Sequence, residues 1–530
     1  MKTKRISSRP NVVLIILDTL RADRMSCYGY ERETTPFIDA FAEEATLFER
    51  AVVPGQWTIP SHASLFTGEY PTTHMTTQIH DTLGDGLVTI AELLHDAGYK
   101  TIGFCNNPLL GVVDNDLDRG FEEFYNYGGA VPNYPDISQS RPKILGRLLE
   151  RYTRVMRRIT APLQDLFARN ELLLRIAMHP LIVPLWQNSI NFKGNTKRSL
   201  RDVVGYLRAH RGSADTRPLF TFVNLMETHL PYRPPARFIQ KFAPYYEEDR
   251  GAQAFMRNYN MEHYRWMIPL TEPLSELSDR TLNDLYDAEV AYQDRLLRRL
   301  LKDLSKPDVR DNTVVIITSD HGEGLNNHDF VGHSLVAYDD LVRAPLIVRY
   351  PRLYPAGKRV SSLISTRRVF HSILEATAIR PEEEDLDRAP IDVEGLSLTK
   401  AINGFPPAEE LVFAEAYTPD TLLALMEAED PGAIETFRCR SMRRAAYDSR
   451  HKLITVGDDP DELFDVIDDP GETENLLSQH PEKVAELREA LNTFVGDAEA
   501  RRPANWESAR QVSLDNAEIS DRLRALGYIE

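Results

Sequence analysis

Short apolar runs alternate along this chain with segments whose apolar positions recur at helical spacing. NVVLIILDTL (11–20) predicts a buried strand that ends at Asp18, and TTPFIDAFAEEATLFERAV (34–52) carries helical spacing. TIAELLHDAGYKTIGFCNN (89–107) predicts a helix, a stop at Gly98, then a strand. LFTFVNLMETH (219–229) reads as a strand, and TLNDLYDAEVAYQDRLLRRLLKDL (281–304) as a long amphipathic helix. NTVVIITSDHGEG (312–324) is a strand ending in Asp and His, and PLIVRYP (345–351) is one strand more. This alternation predicts an α/β fold: a large mixed, mainly parallel sheet sandwiched by helices. Ligands of such sheets sit beyond the carboxyl ends of the strands. Asp18, His229, Asp320 and His321 all fall at positions of that kind.

The same pattern divides the chain. Residues 1–380 form the main α/β domain, 381–409 read as a linker, and 410–530 as a small α+β subdomain and tail. In the last part, AAYDSRHKLITVGDDPDELFDVIDDPGETENLL alternates short strands with turns, and PEKVAELREALNTFV follows as a helix. Inside the main domain lies a helical, basic insertion at about 141–210. Its residues 141–175 hold nine Lys and Arg against three Asp and Glu, a net charge of about +6. A basic amphipathic segment of this kind suits peripheral contact with a membrane through 141–187, or packing against acidic neighbours.

Composition narrows the function classes. A formal net charge of -18 argues against a nucleic-acid partner reached by bulk electrostatics. The three cysteines, Cys27, Cys105 and Cys439, are too scattered for a disulfide framework, which fits a reducing compartment. The apolar run after MKTKRISSRP is short and ends in Asp18, unlike a signal peptide, so the expected location is cytoplasmic.

Two stretches concentrate reactive side chains. SDHGEGLNNHDFVGH (319–333) gathers Asp320, His321, Glu323, His328, Asp329 and His333 behind a β-branched strand. An Asp-His pair at a strand end followed by glycine suits a hard or borderline divalent metal, or equally a helix N-cap. WTIPSHASLFTGEYP (57–71) crowds hydroxyls and His62 around Pro60. It predicts a helix opening at SHASLFTG, with Thr58 just before its N-terminus, where an anion is favoured, and with Ser61 and Ser64 left to cap and pack. Taken together, Asp18, Asp320 and His321 supply three metal ligands, and Thr58 supplies a hydroxyl that a metal ionises for attack on a phosphorus or sulfur ester.

In order and spacing, these stretches resemble the sulfatase branch of the alkaline phosphatase superfamily over nearly the whole chain. The resemblance is carried by NVVLIILDTLRADRMSCYGY (11–30), WTIPSHASLFTGEYP, ETHLPYRPP (227–235), YDAEVAYQD (286–294), TSDHGEGLNNH (318–328), DELFDVIDDPGETENL (461–476) and the closing RLRALGYI. It implies that Asp18, Asp320 and His321 hold the metal, with Thr58 at the nucleophile position and touching the same ion. It places His62 where sulfatases usually carry an arginine. His229 would contact substrate or protonate the leaving group, His333 would stand near a frequent lysine, and Asn107 would line the pocket.

Two departures refine what the resemblance implies. Sulfatases make a formylglycine from Cys or Ser, and this chain has Thr58 there, so no formylglycine is expected. A threonine ester has no aldehyde to collapse to and must be opened at phosphorus or sulfur, which favours phosphate mono- or diesters slightly over sulfate esters. Thr19 stands where many sulfatases have a further Asp, weakening a Ca site and leaving Mg, Mn or Zn; one ion is expected and a second is left open. His62 would be a fully charged donor only below its pKa, near 6.5 if unperturbed. The implied protein is a metal-dependent hydrolase acting on an anionic ester of a small molecule, glycan or lipid headgroup. Transfer of a phospho-headgroup to an alcohol, and an inactive sulfatase-like binding module, are the alternatives.

Overall fold

The computed structural model describes residues 9–111, 113, 115–128, 132–135, 193–261, 266–270, 272–381, 391–404 and 411–503. The basic segment 141–187, residues 382–390 and 405–409 of the expected linker and the closing RLRALGYI lie outside the described residues.

β1 (Asn11–Leu17) is the centre of the main sheet. Val12, Leu14 and Ile16 enter one apolar cluster, and Val13, Ile15 and Leu17 the other. Burial on both faces explains why this strand reads as an unbroken apolar run rather than an alternating one. The remaining strands are β2 (Thr46–Val52), β3 (Lys100–Cys105), β4 (Glu123–Asn126), β5 (Leu219–Leu225) and β6 (Thr313–Thr318). They are followed by the two-residue pair β7 (Gly324–Leu325) and β8 (Val331–Gly332), then β9 (Arg343–Arg349) and β10 (Lys358–Ser365). The eight-stranded sheet runs β10-β2-β9-β6-β1-β5-β3-β4. β9 pairs antiparallel with both neighbours, and every other pairing is parallel.

One element departs from the sequence pattern. The helical spacing over 34–52 is honoured only by Pro36–Ala42, and Thr46–Val52 is β2. Phe48 and Ala51 face one core and Leu47 the other, so the segment gains more from pairing between β9 and β10 than from a longer helix. The 89–107 stretch follows its pattern: Thr89 and Glu92 form a capping box, the helix Ile90–Asp96 ends, and Gly98 takes φ 85° before β3.

The C-terminal part builds its own four-stranded antiparallel sheet from β11 (Val412–Ala416), β12 (Arg443–Tyr447), β13 (His451–Val456) and β14 (Asp459–Asp465), in that order. The helix Pro481–Ala500 covers it through Leu487, Leu491 and Phe494. This sheet docks on the main one through shared apolar residues, Val52, Val53, Phe330 and Leu335 meeting Val412 and Ala414. It also grips the strand exit before Thr58: Glu415 N–H donates to Pro54 O (2.8 Å), and Gln56 Nε2 donates to the carbonyls of Tyr417 (2.6 Å) and Ser334 (3.1 Å). The DDPGETENL stretch is a tie of the same kind. Glu472 pairs with the buried Lys452 and accepts the Asp339 N–H (2.6 Å).

Candidate active site

The parallel strands deliver polar residues to one edge. Asp18 follows β1, Asn107 follows β3, Asn224 lies in β5 with His229 beyond it, and Asp320 and His321 follow β6. Thr58 opens the helix Thr58–Thr67, three residues before Ser61, where the sequence pattern starts it, with Trp57 as its N-cap. Pro60 falls in the first turn, where a missing N–H costs no intrahelical bond. All ten residues of this helix are buried, and it stops at Gly68 (φ 74°). Ser61 does not cap the helix: its Oγ donates to the Asp320 carbonyl, tying the helix start to the end of β6. Ser64 pairs instead with His74 Nε2 (3.0 Å).

Among the described residues, Asp18, Asp320 and His321 offer ligand atoms that all lie within 4.8 Å of one another. The chemistry of this set fits a divalent cation. Asp18 Oδ1 and Asp320 Oδ2 are buried without hydrogen-bond partners, a costly state for carboxylate oxygens unless a cation meets them. The other Asp18 oxygen accepts from Asn107 Nδ2 (2.8 Å) and Asn224 Nδ2 (3.3 Å). Asp320 Oδ1 accepts the backbone N–H of His321 (3.0 Å) and of Thr19 (3.3 Å). His321 donates Nδ1–H to Gly322 O (2.8 Å), which leaves Nε2 as the lone-pair nitrogen. Burial, and for Asp18 the neighbouring Asp320 as well, pushes the two carboxyls up to about 6 for Asp18 and about 7 for Asp320.

Thr58 Oγ1 stands 3.4 Å from His321 Nε2 and 3.5 Å from Asn107 Nδ2, so hydroxyl, imidazole and carboxylates share one enclosed space. His62 lies a turn behind. Its Nδ1 meets the Thr58 carbonyl (2.8 Å), Phe66 and Phe222 meet its ring edge-on, and burial drives its pKa down to about 4. A neutral ring at neutral pH is therefore the outcome, not the arginine-like charged donor.

His229 and His333 reach the same space, with ring centroids 4.9 Å apart, and His333 is 4.8 Å from His321. Their environments differ. His229 meets the Leu230 carbonyl through Nδ1 (2.7 Å), and burial together with the nearby His333 keeps it well below its ordinary pKa. Burial also opposes a charge on His333, but Glu323, whose Oε1 lies 2.9 Å from His333 Nδ1, outweighs it and holds the pKa above its ordinary value. Asp18, Thr58, His62, Asn107, His229, Asp320, His321 and His333 thus lie in or beside this one cluster, none more than 3% exposed, whereas His328 and Asp329 of the same 319–333 stretch line a separate cavity.

Sequence reasoning passed over several members. Asn224 hides inside an apolar strand. Lys193, whose charge acts on His229 while its Nζ meets Glu289 Oε1 at 3.1 Å, lies within the expected basic insertion, and Glu323 belongs to the 319–333 cluster without an assigned role. A cavity of about 300 Å³ lies elsewhere, on the seam between the two sheets, lined by His328, Tyr338, Arg438, Arg443, Asp461 and Glu462. Among the described residues, the group of three ligand side chains within 4.8 Å of one another is the buried Asp18–Asp320–His321 set, not one lining this cavity.

This architecture has a family. The Sulfatase family model matches residues 10–379, and the chain belongs to the sulfatase family, within the alkaline phosphatase superfamily. That makes it a hydrolase acting on ester bonds, from a family whose enzymes use a divalent metal ion. It is 27% identical over 346 residues to the uncharacterized sulfatase YidJ of Escherichia coli (strain K12), covering 65% of this chain and 63% of that protein. It is 24% identical over 550 residues to an N-acetylgalactosamine-6-O-sulfatase of Bacteroides thetaiotaomicron, covering 92% and 93%. In three dimensions it resembles the phosphonate monoester hydrolase of Agrobacterium radiobacter, with a TM-score of 0.63, 21% identity, and 92% and 96% of the two chains covered. Among the described residues, no helix is long and apolar enough to cross a membrane.

Proposed function

We propose that this protein hydrolyses anionic phosphate or sulfate esters with Thr58 as nucleophile, phosphoesters being the favoured class. The observation that carries this reading is the position of Thr58 Oγ1, 3.4 Å from His321 Nε2 and inside the Asp18–Asp320–His321 cluster. Asp18, Asp320 and His321 would hold the divalent cation, with Thr58 touching it. Once bound, the ion offsets the two carboxylates, acidifies the neighbouring hydroxyl and draws charge from the attacked ester. Asn107 Nδ2 donates toward both the hydroxyl and Asp18, fixing their relative position.

Threonine attacks phosphorus or sulfur, the ester oxygen departs, and water opens the threonine ester in a second step. His333 is the better placed acid. Its Nδ1 is committed to Glu323, so Nε2 is the nitrogen that can reach the leaving oxygen. His229, held neutral, serves as a hydrogen-bonding wall. The divergence of these two neighbouring imidazoles is what a site needs to run acid and base roles together. The preference for phosphoesters rests on Thr58: its ester must be opened by attack at the central atom. Neighbours named as phosphonate monoester hydrolases and as a 2-O GAG sulfatase are in keeping with either ester class.

Thr58→Ala should abolish turnover while leaving the fold and metal content unchanged. The check is product release from aryl phosphate monoester, phosphodiester, phosphonate and sulfate substrates with Mg, Mn, Zn and Ca in turn. Retained turnover in a clean preparation of the variant overturns the assignment.

A further inference from the structure

Glu323 is fully buried, and each of its carboxylate oxygens meets a partner. Oε1 lies 2.9 Å from His333 Nδ1, and Oε2 accepts the Tyr232 hydroxyl (3.1 Å). Its backbone is held as firmly: the carbonyl accepts from Arg21 (3.1 Å), and the N–H donates to Asp340 O (3.1 Å). Tyr232 lies three residues after His229 and is fixed at its own N–H by Asn260 Oδ1 (2.8 Å). Arg21 lies three residues after Asp18 and pairs with Asp340 at 2.5 Å. One carboxylate therefore joins the segments that carry His229 and His333, and its backbone is bonded to the segment that carries Asp18.

A buried carboxylate kept only for stability gains little over a neutral isostere. An acceptor on Nδ1 of an imidazole does something more specific: it fixes the tautomer and the ring plane, so that Nε2 alone meets the reacting group. We propose that Glu323 is a positioning residue for His333, aligning Nε2 with the ester oxygen that leaves, and that Tyr232 aligns Glu323 in turn. The proposal rests on the reading of His333 as the proton donor. As the bond from phosphorus or sulfur to the leaving oxygen breaks, its electron pair stays on that oxygen and takes the Nε2 proton. His333 is left neutral, with Nδ1–H still on Glu323. Water attacking the threonine ester then returns a proton to Nε2.

The test uses aryl phosphates, or aryl sulfates where those are the esters turned over, with leaving groups from 4-nitrophenol to phenol. Glu323→Gln keeps the shape and an acceptor oxygen but removes the charge. It should lower kcat on the phenyl ester by about ten- to a hundredfold, leave KM little changed, and affect the 4-nitrophenyl ester far less. In a His333→Ala background the same substitution should have no further effect. Tyr232→Phe should give a smaller loss with the same dependence on the leaving group. Equal losses on good and poor leaving groups, or an undiminished loss in the His333→Ala background, overturn the proposal. Should Glu323→Gln fail to fold, Tyr232→Phe decides: no leaving-group dependence counts against it. Activity surviving in Thr58→Ala would instead overturn the nucleophile assignment, while the Glu323–His333 cycle would still read their coupling.

Discussion

Asp18 and Asp320 are two carboxylates placed where neither is comfortable charged. An unfolded aspartate titrates near 3.9, and burial raises these two to about 6 and about 7. Because the raised values favour the protonated form, the metal-free fold binds more protons than the unfolded chain between pH 4 and 7 and loses stability as pH rises through that window. A bound divalent cation removes the penalty and must displace protons to enter. Protein stripped with a chelator should therefore melt at lower temperature at pH 8 than at pH 5, and loaded protein should not. Calorimetry should find metal affinity rising across the same interval, with proton uptake by the buffer. A pH-independent melting temperature in the stripped protein would refute this account.

At this scale the sequence was informative where a residue follows a strand or opens a helix in a recognisable stretch, as Asp18, Asp320 and His321 do after β1 and β6 and Thr58 does at its helix start. It was mute where the answer depends on who packs alongside. The neutrality of His62 comes from burial, with Phe66 and Phe222 around the ring, and the contrast between His229 and His333 comes from Glu323. No spacing rule encodes those meetings.

Among elements, the turn after β6 is the most exacting. Gly322 N–H donates to Leu341 O (2.7 Å), and a Cβ on Gly322 would collide with the Asp340 carbonyl. That contact is backbone against backbone, so no side-chain rotation relieves it. Gly322→Ala should cost on the order of 1–3 kcal/mol, read as a lowered denaturation midpoint at unchanged m-value, and should impair metal retention because His321 is the preceding residue. A midpoint within error of the parent protein would show that the turn yields. The strands themselves were largely legible, since apolar runs buried on both faces need no alternation to be seen. Two things were not. The 34–52 stretch satisfies a helical period until tertiary pairing takes its second half as β2, and nothing in a buried apolar run such as β9 reveals which way the strand points.

For the whole molecule, the division into an α/β part and a smaller C-terminal sheet could be expected from the change in pattern near residue 410. What the pattern could not show is that the smaller sheet holds the segment leading into Thr58. β11 meets the main chain at Pro54 and Gly55, and Gln56 is clasped between Tyr417 and Ser334, two residues ahead of Thr58. The subdomain is thus part of the scaffold that holds Thr58 and not an appendage to it.

A consequence follows for dissection. A protease site engineered between Gly404 and Leu411 should yield a nicked protein that travels as a single particle and keeps its turnover, because polypeptide continuity is not what holds the halves together. Pulled apart in denaturant and refolded separately, neither fragment should work, and mixing should restore what each lost. Halves that drift apart on nicking would mean that the clasp at Gln56 is too weak to matter. If they stay together, loss of the C-terminal sheet by truncation would silence a catalytic centre whose proposed metal ligands it does not contribute.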